Sequence, residues 1–281
     1  MKRFFSILLV LLLLLAAAAA AGLFFLRRAG RAALYHPAAD LAATPADHHL
    51  RYQNVLFRAS DGTRLEGWWI PCRNARATLL YCHGNASNRS ADARWAPFFA
   101  HRRMNVLLWD YRGYGGSEGV PSEEGLRRDA QAAYDAAAGA APGLPVVVYG
   151  HSLGGAVAAR LALDRPVAGL VLDSTFASAA DMARRLHPNL PAALAPLLAA
   201  GYDTAACAAA LPGIPKIIGH SPTDQTIPFQ SARTLHAAAA APKAFVLLDG
   251  AHDAHSWFLD NGAGSAELSE FLSRFSSPPA P

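Results

Sequence analysis

A serine in a tight glycine-rich turn is the residue of this chain best suited to covalent chemistry. Residues 150–155 read Gly-His-Ser-Leu-Gly-Gly; they follow the apolar run 146–149 and precede an alanine-rich, helix-prone stretch over 156–163. A G-x-S-x-G pattern between a strand and a helix predicts a turn so tight that the Ser152 hydroxyl projects from the end of the strand. The pattern alone also fits a helix cap, but its flanks favour a nucleophilic serine.

A serine hydroxyl needs a base to take its proton, and the base needs an acid to orient it. His252 follows the last apolar run in the order Asp-Gly-Ala-His over 249–252, where the glycine permits a loop that can reach the serine. We therefore take His252 as the base. His255, three residues further on, stays the alternative, although it fits a helix start or a surface position better than the role of a base.

The acid is sought at the end of another strand. Asp224 follows the apolar run 216–219, so it is our candidate for the acid that orients the histidine. Asp173 ends the run 170–172 and stays the alternative, although it also fits a helix N-cap. With Asp224 as the acid, the chain order is Ser, Asp, His, which is the order typical of the nucleophile-elbow architecture.

Negative charge that develops on a substrate carbonyl needs two hydrogen-bond donors. The backbone N–H of Leu153 is one candidate, because it follows the serine at the start of a helix. The second candidate is the amide of Asn85, with Ala86 next, in the loop His-Gly-Asn-Ala over 83–86. His83 itself is interpreted as a buried residue that fixes the loop. The sequence carries no metal-ligand spacing, phosphate-binding loop or cofactor fingerprint, so we expect no cofactor and no metal.

The elements that position these residues follow an alternating pattern. Continuously apolar runs suit strands buried on both faces of a parallel sheet, and helix-prone stretches lie between them. An Asp61-Gly62 turn between the first two strands predicts an antiparallel hairpin before the repeats. The predicted fold is α/β, a mostly parallel, doubly wound, eight-stranded sheet. The predicted strands are 55–58, 64–70, 78–82, 106–109, 146–149, 167–172, 216–219 and 245–248.

Helix-prone stretches complete the hydrolytic domain that we predict over 51–275. The interruption at about 174–215 carries helical pattern over 179–186 and 191–200, and is interpreted as a short helical lid. Residues 276–281 are expected to form a disordered tail. The helices predicted outside the lid are 92–101, 123–138, 152–163, 229–239 and 265–275.

The beginning of the chain is strongly apolar. Residues 4–26 carry no charge, and a helix of this length can cross about 30 Å of hydrocarbon. Basic residues flank both ends, so we predict a transmembrane anchor over 1–28; the alternative is a cleaved signal peptide. Residues 29–50 are interpreted as a linker. The positive N-terminus is expected to stay inside, which would leave the hydrolytic domain on the outer, periplasmic or extracytoplasmic, side of the membrane.

Composition limits the partners. The 281 residues are 52% hydrophobic and 16% charged, with a formal net charge of +4. The positive charge is partly clustered beside the apolar segment, at Arg27, Arg28 and Arg31, and is elsewhere scattered, so it favours anionic lipid over nucleic acid. Three cysteines exclude a disulfide framework; one pair is possible, and buried thiols are the simpler interpretation.

The combined motifs resemble the α/β-hydrolase superfamily. Within it, the chain is similar to membrane-anchored α/β-hydrolase-domain proteins that include lysophospholipases, monoacylglycerol lipases and acyl-protein thioesterases. The resemblance spans about 50–275, implies that 110–119 supports the site without reacting, and favours Asp224 and His252. One departure is Ser221-Pro222, where relatives usually have a glycine after the histidine. The matching segments are 83–85, 110–119, 150–155, Asp224 before Ile227-Pro228, and 250–253.

The sequence therefore predicts a serine hydrolase that cleaves carboxylic esters, including lipid or acyl esters, through a triad of Ser152, His252 and Asp224. An acyl thioesterase or a peptidase would use the same three residues, so these alternatives stay open. A noncatalytic, membrane-tethered binding protein is the alternative of another class. The expected partners are a small-molecule or lipid ester and a membrane. The sequence does not indicate an oligomeric state.

Overall fold

The computed structural model describes residues 2–186, Asn189 and 201–276, with the backbone alone for part of the first helix. Its strands form one eight-stranded sheet, as the sequence predicts. The strands are β1 (Gln53–Arg58), β2 (Arg64–Ile70), β3 (Ala77–Cys82), β4 (Met104–Trp109), β5 (Val146–His151), β6 (Gly169–Asp173), β7 (Lys216–His220) and β8 (Lys243–Leu247).

The strand order is β1-β2-β4-β3-β5-β6-β7-β8. β2 pairs antiparallel with β1 and with β4, and all other pairs are parallel. The carboxyl ends of the parallel strands therefore share one edge of the sheet, and β5 lies in the middle between β3 and β6. Residues that follow β3, β5, β6, β7 and β8 consequently meet around the end of β5.

Helices cover both faces of the sheet. The helices of the described residues are α1 (Lys2–Leu34), α2 (Arg89–Asp92), α3 (Ala96–Ala100), α4 (Glu123–Ala140), α5 (Leu153–Asp164), α6 (Ala179–Leu186), α7 (Thr204–Ala209), α8 (Phe229–Ala238) and α9 (Ser265–Ser276).

The sheet separates two apolar cores, because successive side chains of a strand point to opposite faces. Leu80 and Val148 pack on one side with Leu126 of α4. Leu79 and Val147 pack on the other side, in the core that contains residues of α3 and α9. This double coverage explains why the central strands are apolar at every position.

The helix predicted over 92–101 is divided in the structure, and only its second half is α-helical. Asn88 accepts a hydrogen bond from the Ser90 amide at 3.0 Å and so caps an earlier helix, α2. A short 3-10 turn, Ala93–Trp95, follows, and α3 then begins just before Pro97. Proline has no backbone N–H and is tolerated only in the first turn of a helix, so it fixes this restart.

In the predicted lid, α6 agrees with the helix predicted over 179–186, and α7 was not predicted. The helix predicted over 191–200 lies outside the described residues, as does 277–281 of the predicted tail. Ser276, the first residue of that tail, ends α9.

The apolar beginning of the chain lies in α1, which ends at Leu34 within the segment predicted as a linker. Within the described part of the chain, no helix is both long enough and apolar enough to cross a membrane. The prediction of a transmembrane helix is therefore not supported. The stretch after α1 contacts the domain, since the amide of His36 donates to Asn85 Oδ1 at 3.0 Å and that of Gly115 donates to the Ala38 carbonyl at 2.9 Å.

Candidate active site

Ser152 sits in a strained turn between β5 and α5. Its φ of 53° and ψ of −119° lie outside the regions that residues other than glycine normally adopt. Gly150 and Gly154 make the turn possible: a Cβ at Gly150 would lie 2.2 Å from the Gly154 carbonyl oxygen, and a Cβ at Gly154 would lie 2.0 Å from that of Cys82. The backbone around Ser152 is therefore the tight strand-to-helix turn that the sequence predicts.

His252 lies on the loop after β8 and reaches the serine. Its Nε2 is 2.9 Å from Ser152 Oγ, and its Nδ1 is 2.7 Å from Asp224 Oδ2. An ionised carboxylate only accepts, so Nδ1 carries the proton and donates to Asp224, which leaves the Nε2 lone pair facing the serine hydroxyl. The structure thus brings together the three residues that the sequence singled out.

Asp224 is held by groups of its own loop. Its Oδ1 accepts the backbone amides of Thr226 at 2.8 Å and Ile227 at 2.9 Å. Burial alone would raise the pKa of Asp224, but the hydrogen bonds from His252 and from these amides lower it below its ordinary value. The carboxylate is therefore ionised and fixed, as the orienting acid of a histidine must be.

His220, the last residue of β7, was missed by the sequence analysis. It is fully buried, and its Nε2 donates to the Ile227 carbonyl at 2.9 Å and lies 3.3 Å from Asp224 Oδ2. Burial lowers the pKa of His220, so it is neutral and serves to shape the acid loop.

The candidate oxyanion donors flank Ser152. Leu153 is the first residue of α5, where backbone amides have no partner within the helix. The loop after β3 passes beside the serine, since a Cβ at Gly84 would lie 3.7 Å from Ser152 Cβ. Asn85 is fixed in this loop, because its Oδ1 accepts the His36 amide at 3.0 Å and the Tyr114 hydroxyl at 2.9 Å.

His83 has a structural position, as the sequence analysis expected. It is 1% exposed, and its Nδ1 lies 2.6 Å from the Gly84 carbonyl oxygen. Burial lowers the pKa of His83 to about 4, so the ring is neutral near pH 7. The Tyr111 hydroxyl donates to the His83 carbonyl at 2.8 Å. With the bond from Tyr114, this contact shows that the segment 110–119 supports the loop beside the serine.

Comparison with known proteins identifies the family of this chain. The family model Hydrolase_4, described as serine aminopeptidase, S33, matches residues 73–205. The chain is 38% identical over 213 residues to the protein YfhR of Escherichia coli (strain K12), which covers 71% of this chain and 73% of that protein. It is 40% identical over 156 residues to the alpha/beta hydrolase domain-containing protein WAV2 of Arabidopsis thaliana, which covers 52% of this chain and 50% of that protein.

The chain belongs to the α/β-hydrolase superfamily. Among solved structures, an esterase of Pyrococcus furiosus has the same fold, with a TM-score of 0.69 at 20% sequence identity over 87% of this chain and 99% of that chain. The shared fold places the end of β5 where members of this superfamily carry a nucleophile elbow.

A second carboxylate lies at the neighbouring strand end of this α/β-hydrolase. Asp173, the alternative acid, ends β6 and is 1% exposed. Its Oδ2 accepts a hydrogen bond from His255 Nδ1 at 3.0 Å and lies 3.4 Å from His151 Nδ1. Burial alone would raise the pKa of Asp173, but the two histidines hold it well below its usual value. The structure therefore places the alternative acid and the alternative base against each other, beside the triad.

Ser221, where the sequence departs from its relatives, links two loops of the hydrolase site. Its hydroxyl donates to the Gly250 carbonyl at 2.6 Å, and the hydroxyl of Thr223 donates to the same oxygen at 2.8 Å. The loop that carries Asp224 is thus tied directly to the loop that carries His252. Only the departure from the usual glycine marked this position in the sequence.

One group of potential metal ligands occurs among the described residues of the hydrolase. His151, Asp253 and His255 each place one ligand atom within 4.8 Å of the others. Both histidines already bind carboxylates, His151 that of Asp253 and His255 that of Asp173. We assign no metal to this group.

Proposed function

We propose that the chain is a serine hydrolase that cleaves carboxylic esters through an acyl-enzyme. The observation that carries this proposal is the unbroken line of hydrogen-bonding distances from Ser152 Oγ to His252 Nε2, 2.9 Å, and from His252 Nδ1 to Asp224 Oδ2, 2.7 Å. Such a line lets a hydroxyl lose its proton as it attacks, because the imidazolium that forms lies against a carboxylate.

Acylation begins when Ser152 Oγ attacks the acyl carbon of the ester. His252 Nε2 takes the hydroxyl proton, and Asp224 stabilises the charged ring. The carbonyl electron pair moves to oxygen, where the amides of Leu153 and Asn85 are the proposed donors. The intermediate collapses, the bond to the alkoxy oxygen breaks, and the alcohol leaves with the proton from His252. Ser152 is then acylated.

Deacylation repeats these steps with water. His252 takes a proton from a water molecule as its oxygen attacks the acyl carbon, and the same amides stabilise the second oxyanion. When the bond to Ser152 Oγ breaks, the serine recovers its proton from His252, and the carboxylic acid leaves. The reaction consumes one water and needs no cofactor.

A fluorophosphonate probe tests the nucleophile. The probe forms a covalent bond with an activated serine, so wild type should be labelled and Ser152→Ala should not. Labelling that survives the substitution would show that another residue reacts. A folded wild type that takes no label and hydrolyses no ester would favour the noncatalytic binding protein.

A substrate panel separates the chemistries that share this acyl intermediate. The description of the matching family model as a serine aminopeptidase makes the peptidase the second candidate, and the acyl thioesterase is the third. We expect p-nitrophenyl esters to be cleaved with a higher kcat/KM than acyl thioesters or aminoacyl amides. A series of esters of increasing acyl length then defines the substrate class, and turnover of long-chain esters supports a lipid or acyl substrate.

We also propose that the protein is attached to a membrane through α1, with its hydrolytic domain on the outer side. The described side chains of α1 include exposed Phe4, Leu14 and Phe24, and exposed apolar surface of this kind favours contact with lipid. Wild type should sediment with membranes, and Leu14→Arg should release a larger fraction. Leu56→Arg, at an equally exposed leucine of β1, is the control. Digestion of the hydrolytic domain by a proteinase added to intact cells tests whether the domain lies on the outer side of the membrane.

A further inference from the structure

Two consecutive residues of the nucleophile elbow pair with two consecutive residues of the histidine loop. Ser152 Oγ lies 2.9 Å from His252 Nε2, and His151 Nε2 lies 3.1 Å from Asp253 Oδ1. The second pair joins the residue before the serine to the residue after the histidine. It bridges the same gap between the end of β5 and the loop after β8.

We propose that His151 and Asp253 are positioning residues: their pair holds the histidine loop in the register that places His252 Nε2 on Ser152 Oγ. The inference rests on the proposed function, in which this contact transfers the proton. Neither residue is assigned contact with the substrate. Both act through His252.

His151 is the member of the pair that is already held in place by its surroundings. Its ring is 4% exposed, lies 3.4 Å from Asp173 through Nδ1, and packs against the rings of His255 and His252 at centroid distances of 4.3 Å and 5.0 Å. An ion pair between two mobile surface side chains contributes little, because ordering both costs entropy. Here only Asp253, whose side chain is 78% exposed, has to be ordered.

The histidine loop needs such an anchor. On one side of His252, the Gly250 carbonyl is held by the hydroxyls of Ser221 and Thr223. Gly250 itself has a φ of 87°, a conformation in which glycine is the least restricted residue. Asp253 supplies the matching anchor on the other side of His252. The next side-chain anchor, His255 on Asp173 at 3.0 Å, lies three residues beyond His252, so Asp253 is the anchor adjacent to the imidazole.

The charges around His151 support an ion pair. The ring faces Asp173 at the end of β6, Asp253 and His255 of the histidine loop, Asp92 of α2, and His83 after β3. Burial alone would lower the pKa of His151, but its contacts with Asp173 and Asp253 raise it to about 10. The hydrogen bond from His151 lowers the pKa of Asp253 to about 2. Both partners are therefore charged near neutral pH.

The charge of Asp253 also acts on His252. The groups that face His252 are Asp224 and His220 from the acid loop, His151 from β5, and Asp253 beside it. Removal of the Asp253 charge leaves the positive charge of His151 close to His252. The Asp253 carboxylate therefore offsets a positive charge that lies beside the base.

Two variants of Asp253 separate position from charge. Asp253→Ala removes both the hydrogen-bond acceptor and the charge; we expect kcat to fall about tenfold with KM within about twofold, since small misplacements of a base cost rate. Asp253→Asn keeps an acceptor at Oδ1, so it should recover most of kcat. The control is Asp249→Ala, another exposed carboxylate of the same loop.

The measurements are kcat and KM with a p-nitrophenyl ester from pH 5 to 9, beside fluorophosphonate labelling of wild type and Ser152→Ala. If wild type is labelled at Ser152 while Asp253→Ala matches Asp249→Ala in kcat, the positioning role is wrong and the hydrolase proposal stands. A change in KM alone would make Asp253 a substrate contact and would also overturn the inference. Absence of labelling and turnover in wild type would overturn the proposed function itself.

Discussion

Asp173 accepts a hydrogen bond from Nδ1 of His255 at 3.0 Å. Asp224 accepts one from Nδ1 of His252 at 2.7 Å, and it is His252 that continues to Ser152 Oγ. Two carboxylates at neighbouring strand ends thus hold two histidines three residues apart. The chemistry of the two pairs is alike, and the hydrogen bond to Ser152 Oγ distinguishes the pair that contains His252.

Asp224→Asn should reduce activity far more than stability. The amide cannot stabilise the imidazolium and favours the wrong tautomer of His252, so kcat should fall by about 10³ to 10⁴. Asp173→Asn should instead lower the Tm, because it replaces a buried carboxylate that accepts hydrogen bonds from His255 and Ser174. The kcat of the folded protein should stay within about tenfold of wild type. Steady-state kinetics and thermal unfolding distinguish the two. An equal loss of kcat in both variants at unchanged Tm would contradict the assignment of Asp224 as the acid that orients His252.

His252→Ala should abolish ester turnover and leave the protein folded, because the ring makes polar contacts with Ser152 and Asp224 and is the only base placed on the serine among the described residues. Ester turnover and circular dichroism provide the measurement.

His255→Ala is the matched variant for that experiment. It should keep turnover but lose about 3 kcal/mol of unfolding free energy, because it leaves the buried Asp173 carboxylate without one of its partners. Urea unfolding measures this loss. If His255→Ala were the inactive and stable variant, the base would be His255.

Gly154→Ala should destroy the elbow. The added Cβ would meet the Cys82 carbonyl at 2.0 Å, and backbone atoms of β3 and α5 would have to separate. We expect the free energy of unfolding to fall by about 3 kcal/mol or more, together with loss of fluorophosphonate labelling. Gly139→Ala in α4 is the control: nothing lies within 4 Å of its Cβ position, so the protein should gain about 0.5 to 1 kcal/mol. Equal Tm values for both variants would contradict this packing.

The central strands and the triad could be predicted from the sequence. Buried parallel strands are apolar at every position, so β3 to β7 are visible as runs, and polar residues that interrupt these runs at their ends mark the site. Ser152 is found from its glycine-rich turn after β5, and Asp224 and His252 are found in the loops that follow β7 and β8. Their roles in the reaction stay predictions.

The contacts that were missed join residues far apart in the chain. The pairs of His151 with Asp253 and of Ser221 with the Gly250 carbonyl depend on how two loops approach each other, and no local periodicity encodes that distance. The division of the helix predicted over 92–101 has a local cause. The cap at Asn88 starts a helix before residue 92, and Pro97 marks the start of a second one within the predicted range.

Stability at alkaline pH tests the charge of His151. Its pKa is about 10 in the folded protein and about 6.5 when unfolded, so the folded state binds the proton more tightly. This stabilisation is complete below about pH 6.5 and is lost as pH rises towards about 10, with a slope of at most about 1.4 kcal/mol per pH unit for one proton. His151→Asn removes the group, so its Tm should fall less than that of wild type between pH 7 and pH 10. His101→Asn, at an exposed histidine, should keep the slope of wild type. Parallel Tm profiles for wild type and His151→Asn would mean that His151 is neutral in the folded protein.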